Sequence, residues 1–118
     1  PDVRTVPAMP QTLRDAVTLD GYSSVVAMTH NLVQDLAWLA ALRDAPVAYL
    51  GAIGSRERAM HMVQDLSPPI SNLHAPAGLD IGSETPQEIA LAITAEIIAV
   101  LNGRGGGPLR DGNGALHP

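Results

Sequence analysis

Residues 47–58 read Val47-Ala48-Tyr49-Leu50-Gly51-Ala52-Ile53-Gly54-Ser55-Arg56-Glu57-Arg58, and this stretch decides the fold. Val47 to Ile53 is an apolar run without polar alternation, the mark of a strand covered on both faces. The glycines at 51 and 54 end it, and Ser55 is a favoured helix N-cap. From there to about Leu66 the spacing predicts a helix that packs Ala59, Met62, Val63 and Leu66. Ser67-Pro68-Pro69 stops that helix, because proline has no amide hydrogen to donate. Strand, glycine turn and helix together form the repeating unit of a parallel α/β domain.

The same unit occurs once more upstream. Ser23 to Thr29 (SSVVAMT) reads as a second doubly covered strand, and Asn31 opens a helix to about Arg43 with Gln34 at the N3 position of a capping box. Val33, Leu36, Ala37 and Ala40 are expected to form its packed face, and Pro46 closes the segment. Val3 to Val6 reads as a short strand, Pro10 to Val17 as a short helix, and Asp20-Gly21 as a turn. Downstream, Leu73 to Ile81 reads as partly extended. Thr85-Pro86-Gln87-Glu88 carries a Thr N-cap, Pro at N1 and Glu at N3, predicting a helix to about Leu101 with Gly103 near its C-terminal cap. Its apolar residues fall on more than one side: Ile89, Ile93, Ile97 and Val100 share a stripe with Glu96, and Leu91, Ala95 and Ile98 face elsewhere. The expected fold class is α/β, a partial Rossmann-like doubly wound parallel sheet flanked by helices. It should occupy residues 1–103, with 104–118 as a flexible Gly-rich tail. Only two strands are convincing, so the sheet should expose buried-type edges.

Composition excludes more than it suggests. Three aromatics, Tyr22, Trp38 and Tyr49, leave an aliphatic core, in which Met28, Met60 and Met62 are expected as filler. The chain has no Cys, which removes disulfides, a thiolate nucleophile and Cys-based zinc. All seven basic residues are Arg, so neither a Walker lysine nor a Schiff-base lysine exists. A net charge of -5 argues against nucleic acid as a partner. The longest apolar run, Ile89 to Leu101, is too short to span a bilayer. No membrane partner is expected, and the cytoplasm is the expected compartment.

Ligands of open parallel sheets gather at the carboxyl ends of the strands, where helix N-termini also point. Two such ends are defined, Thr29-His30-Asn31 and Gly51 to Arg56. At the second, Gly51 and Gly54 let backbone amides approach an anion, Ser55 adds a hydroxyl, and Arg56 and Arg58 add positive charge. A phosphate or pyrophosphate suits such a site; equally, the glycines are explained by a tight turn, Ser55 by capping and the arginines by solvation. No GxGxxG occurs. His30 is placed to donate to a phosphate or to act as acid or base, or else is held within a turn. His61 and His117 read as solvated, and His30, His61 and His74 have no metal-ligand spacing. No catalytic pair stands out. Asp80, in the loop Ala75 to Gly82, either accepts from a ligand hydroxyl or ties down backbone amides, with the glycines supplying positive φ.

Three separated motifs, MTH at 28–30, AYLGAIGSRER at 48–58 and LHAPAGLDIGSETPQEIALAITAEIIAV at 73–100, resemble the C-terminal Rossmann domain of the XdhC/CoxI family. That resemblance covers about residues 20 to 101. It implies an accessory role in maturing xanthine dehydrogenase and related molybdenum hydroxylases. The implied task is to bind molybdenum cofactor (molybdopterin), protect it while a separate sulfur donor installs its terminal sulfur, and deliver it to the hydroxylase. A cofactor-binding chaperone without catalysis of its own is therefore expected, the alternative being an NAD(P)-binding oxidoreductase domain or part of a xanthine dehydrogenase-type enzyme. The residues matching the family pattern are Thr29, His30, Gly51, Gly54, Ser55 and Arg56, with Gly78 to Gly82 and Thr85-Pro86. Two things depart from it: the family's opening strand with a GAGHVG-like turn, and the second strand that follows. Asn31 also stands where Asp is common. A homo-oligomer, or a complementary N-terminal chain, is expected to cover the exposed strand edge.

Overall fold

The computed structural model describes residues 3–112. The chain divides into two compact units, Pro1–Pro76 and Ala77–Pro118. In the first, a 3-10 turn at Pro10–Thr12 runs into helix α1 (Leu13–Ala16), followed by strand β1 (Ser24–Ala27), helix α2 (Leu32–Ala41), strand β2 (Tyr49–Ala52), helix α3 (Arg56–Asp65) and strand β3 (Leu73–His74). The strands form one parallel sheet in the order β1-β2-β3. This is a partial Rossmann-like α/β fold, as the alternation of apolar runs and capped helices requires.

β2 is the central strand and is buried at all four positions. Around it lies the core of Ala27, Leu39, Leu42, Leu50, Ala52, Met62 and Leu66, with no aromatic ring in the cluster. Tyr49 stands at the strand's other end, 1% exposed, stacked on His74 with ring centroids 4.5 Å apart. The turn before β1 forms as Asp20 dictates: its carbonyl accepts from Ser23 N, and its carboxylate from Tyr22 N at 2.9 Å. β1 is shorter than its apolar run and is buried only at Ala27.

Several expectations are corrected. Val3 to Val6 is not a strand; Val3 is 97% exposed, and an extended segment becomes a strand only against a ladder partner. α2 packs a face one residue away from the expected one. Asp35 and Leu39 are buried and Leu32 and Leu36 partly so, whereas Val33, Ala37 and Ala40 are exposed. The two stripes have identical helical spacing, and the carboxylate at 35 disguised the buried one. Asn31 does cap α2, accepting from Gln34 N at 3.0 Å, but the reciprocal bond of a capping box is replaced: Asn31 N donates to Thr29 Oγ1. On α3, Ala59 and Met62 are buried with Leu66 just beyond, but Val63 is half exposed. Met28 and Met60 are likewise exposed, leaving Met62 as the methionine in the core.

The second unit contains α4 (Pro86–Leu101) and a 3-10 turn at Leu109–Asp111. Its capping box is formed on both sides: Thr85 Oγ1 accepts from Glu88 N, and Glu88 Oε1 accepts from Thr85 N and Glu84 N. The loop ahead lies against the helix. Gly78 N donates to Glu96 Oε1 at 2.9 Å and Leu79 N to the Ala92 carbonyl at 3.1 Å. Gly78 has φ 113, and a Cβ there would lie 3.2 Å from the Ala92 Cβ. Residues 104–112 continue from α4, with Arg104 N donating to the Ala99 carbonyl. His117 and the rest of the Gly-rich segment from 113 onward lie outside the described residues.

Candidate functional site

β1 and β2 run parallel with Ala27 opposite Ala52, so the segments that follow them emerge on one rim. From β1 come Thr29, His30 and Asn31, and from β2 come Gly54, Ser55 and Arg56. His30 takes the left-handed conformation, φ 63, which turns the chain sharply into α2. Each loop ends in a side-chain cap, Asn31 on α2 and Ser55 on α3, where Ser55 Oγ accepts from Arg58 N at 3.1 Å. The two helices of ten residues therefore start from the same rim, each with the positive end of its dipole there.

A side chain that the sequence reading passed over joins the two loops. Asp35, one turn into α2, is 1% exposed. Its Oδ1 accepts from Thr29 N at 3.0 Å and from Thr29 Oγ1 at 2.7 Å. Its Oδ2 faces Arg58 Nη2 of α3 at 3.5 Å. A buried carboxylate survives only when hydrogen-bonded and compensated, and Asp35 is both. The available signal was a carboxylate set on the stripe of Leu32, Leu36 and Leu39, where a solvated Asp has no place.

The expected site residues divide accordingly. Thr29, His30, Gly54, Ser55 and Arg56 are exposed on the rim. Arg58 shares it but is turned onto Asp35, with its side chain 29% exposed. Gly51 lies inside β2, buried between Val26 and His74 in register. Asp80 is exposed and belongs to the second unit.

The first amides of α3, those of Arg56 and Glu57, have no acceptor within the helix. With the Ser55 hydroxyl and the Arg56 guanidinium they form a donor set suited to a phosphate group, although the Glu57 carboxylate opposes an anion. Among the described residues, no group of three or more His, Asp or Glu is placed to hold a metal ion. No described helix is long and apolar enough to cross a membrane.

The family model described as the XdhC Rossmann domain matches residues 1–97. The chain belongs to the XdhC family. The chain is 40% identical over 89 residues to the Escherichia coli protein named uncharacterized protein YqeB, a span of 70% of this chain and 16% of that one. It is 31% identical over 93 residues to a Bacillus subtilis protein named as a probable xanthine dehydrogenase subunit, covering 79% of this chain and 28% of the relative. A crystal structure of a xanthine dehydrogenase from Bacillus halodurans superposes with a TM-score of 0.67 at 32% identity, over 83% of this chain and 29% of the other. This XdhC chain thus spans less than a third of the length of these relatives.

Proposed function

We propose that this XdhC domain serves a molybdenum hydroxylase of the xanthine dehydrogenase type as an accessory factor. It binds molybdenum cofactor while a separate sulfur donor modifies it, then passes it to the hydroxylase. The observation that carries the reading is the rim itself. Two parallel strands end in register on one rim, and the loop after β2 carries Ser55 and Arg56, both exposed, at the start of α3. Such a donor set suits the phosphate of a pterin cofactor, and a domain without Cys fits sulfur supplied by a separate donor. The names of the Bacillus subtilis and Bacillus halodurans relatives support the tie to xanthine dehydrogenase. This work belongs to the cytoplasm and needs no catalytic group of the chain's own.

A second reading draws on the same geometry, since Rossmann rims also hold dinucleotide pyrophosphates. Native mass spectrometry of the chain with molybdopterin, beside a fluorescence titration with NADH and NADPH, separates the two. Retained molybdopterin, lost in Arg56→Ala, is the expected result. Retention of neither ligand sinks both readings, and tight NAD(P)H binding without molybdopterin promotes the second.

A further inference from the structure

Arg58 and Arg56 are placed differently, Arg58 turned onto Asp35 and Arg56 exposed. At φ 146, a Cβ on residue 54 would lie 2.8 Å from Arg58 Cδ and 3.5 Å from its Cγ and Nε, so the arginine stem passes directly over the glycine. That path carries the guanidinium to Asp35. Asp35 in turn holds the Thr29 amide and hydroxyl, and Thr29 Oγ1 accepts from Asn31 N. One unbroken run of contacts therefore crosses the rim from the β2 loop to the β1 loop.

We propose that Asp35 and Arg58 are positioning residues, a half-buried strut that sets the spacing of the two rim loops. Gly54 takes a φ of 146 that favours glycine on its own account, and its missing Cβ leaves the Arg58 stem a path to Asp35; Arg56 is the cation presented to the phosphate. This rests on the anion-binding reading of the rim and refines it. Were Arg58 to swing to an incoming anion, Asp35 would remain buried and charged without its partner, the costly half of a broken ion pair. Arg56, at the first position of α3, is exposed and carries no such obligation.

The test uses the 118-residue chain with inorganic pyrophosphate as the probe. Binding is followed by calorimetry, and the Thr29 amide by hydrogen exchange. Arg56→Ala should weaken binding about tenfold, the scale of one charge-assisted contact, with Thr29 protection intact. Arg58→Ala should lower Thr29 protection about tenfold or more as the loop opens locally. The deciding variant is Asp35→Asn, which sets an amide NH2 against the Arg58 guanidinium and so breaks the strut while leaving the charge at 58 in place and free. Thr29 protection and pyrophosphate affinity should then both fall. This variant decides the matter even if Arg58→Ala fails to fold. Affinity held or raised while Thr29 protection falls would make Arg58 a direct ligand contact and overturn the proposal. Unchanged Thr29 protection in a folded Arg58→Ala would overturn it too. Pyrophosphate ignored by the parent chain, with Thr29 protection still governed by Arg58, would remove the anion-binding reading and leave the strut standing.

Discussion

Asp35 accepts three hydrogen bonds while almost wholly withdrawn from water, so its removal exposes a basic asymmetry of buried polar groups. Truncation to Ala leaves the Thr29 amide without its acceptor and Arg58 without its counter-charge. Asp35→Ala should therefore lose about 1–3 kcal/mol of stability in urea denaturation, and Asp35→Asn less, because a carboxamide oxygen still accepts. An unchanged urea midpoint in Asp35→Ala would show that the carboxylate is not a structural partner at all. Two glycines of the second unit allow a comparable contrast. Gly78 combines φ 113 with a close approach to Ala92, whereas Gly82, at φ 71, has nothing within 4 Å of its notional Cβ. Gly78→Ala should cost about 1–3 kcal/mol through strain and overlap, and Gly82→Ala should cost less because only the dihedral is strained. Equal losses would mean that contact with Ala92 is unimportant.

At the level of elements, α4 shows how far local chemistry can be read and where reading stops. Its start at Thr85-Pro86 and its end near Leu101 agree with the sequence expectation because cap residues act through their own backbone neighbours, which sequence spacing specifies completely. The cap also makes the helix sensitive to pH. Amides of Glu84 and Thr85 donate to the Glu88 carboxylate and hold its pKa below the usual carboxylate value. A lowered folded-state pKa contributes stability above the unfolded value, near 4.3, that is lost as pH falls through the lower folded value. Circular dichroism of the chain and of Glu88→Gln should therefore differ at neutral pH, with the parent's advantage vanishing in acid; a difference independent of pH would exclude this role. Thr85→Ala should cost about 1 kcal/mol at neutral pH. Faces were harder to read than ends. On α2, stripes beginning at Leu32 and at Val33 satisfy the same helical period, and the choice between them depends on what Asp35 meets in Thr29 and Arg58, contacts that no local pattern contains. The same holds for the site. The rim was legible because parallel topology sends both strand ends one way, while the hub of that rim was hidden by its own charge.

For the first unit, the decisive fact among the described residues is a three-stranded parallel sheet in which β1 and β3 each pair on one side. β2 is buried along its length between two strands, and the outer edges of β1 and β3 are open to further pairing. The direction of the free bonds at β1 follows from the ladder. The carbonyls of Ser23 and Ala27 accept from Ala48 N and Ile53 N on the β2 side, so by strand alternation the backbone groups of Ser24 and Val26 point the other way. Another copy of the chain, or a complementary chain, would find its donors and acceptors there. The chain should therefore sediment above its monomer mass of 12.3 kDa, increasingly so as concentration rises. Val26→Pro deletes an outward amide hydrogen without removing a bond to β2, since proline is tolerated where the N–H faces away from the ladder. It should shift the chain toward monomer with its circular dichroism spectrum preserved. A parent chain that remains monomeric at every concentration, or a proline variant that associates as strongly as the parent, would mean that the β1 edge is not what brings the molecules together.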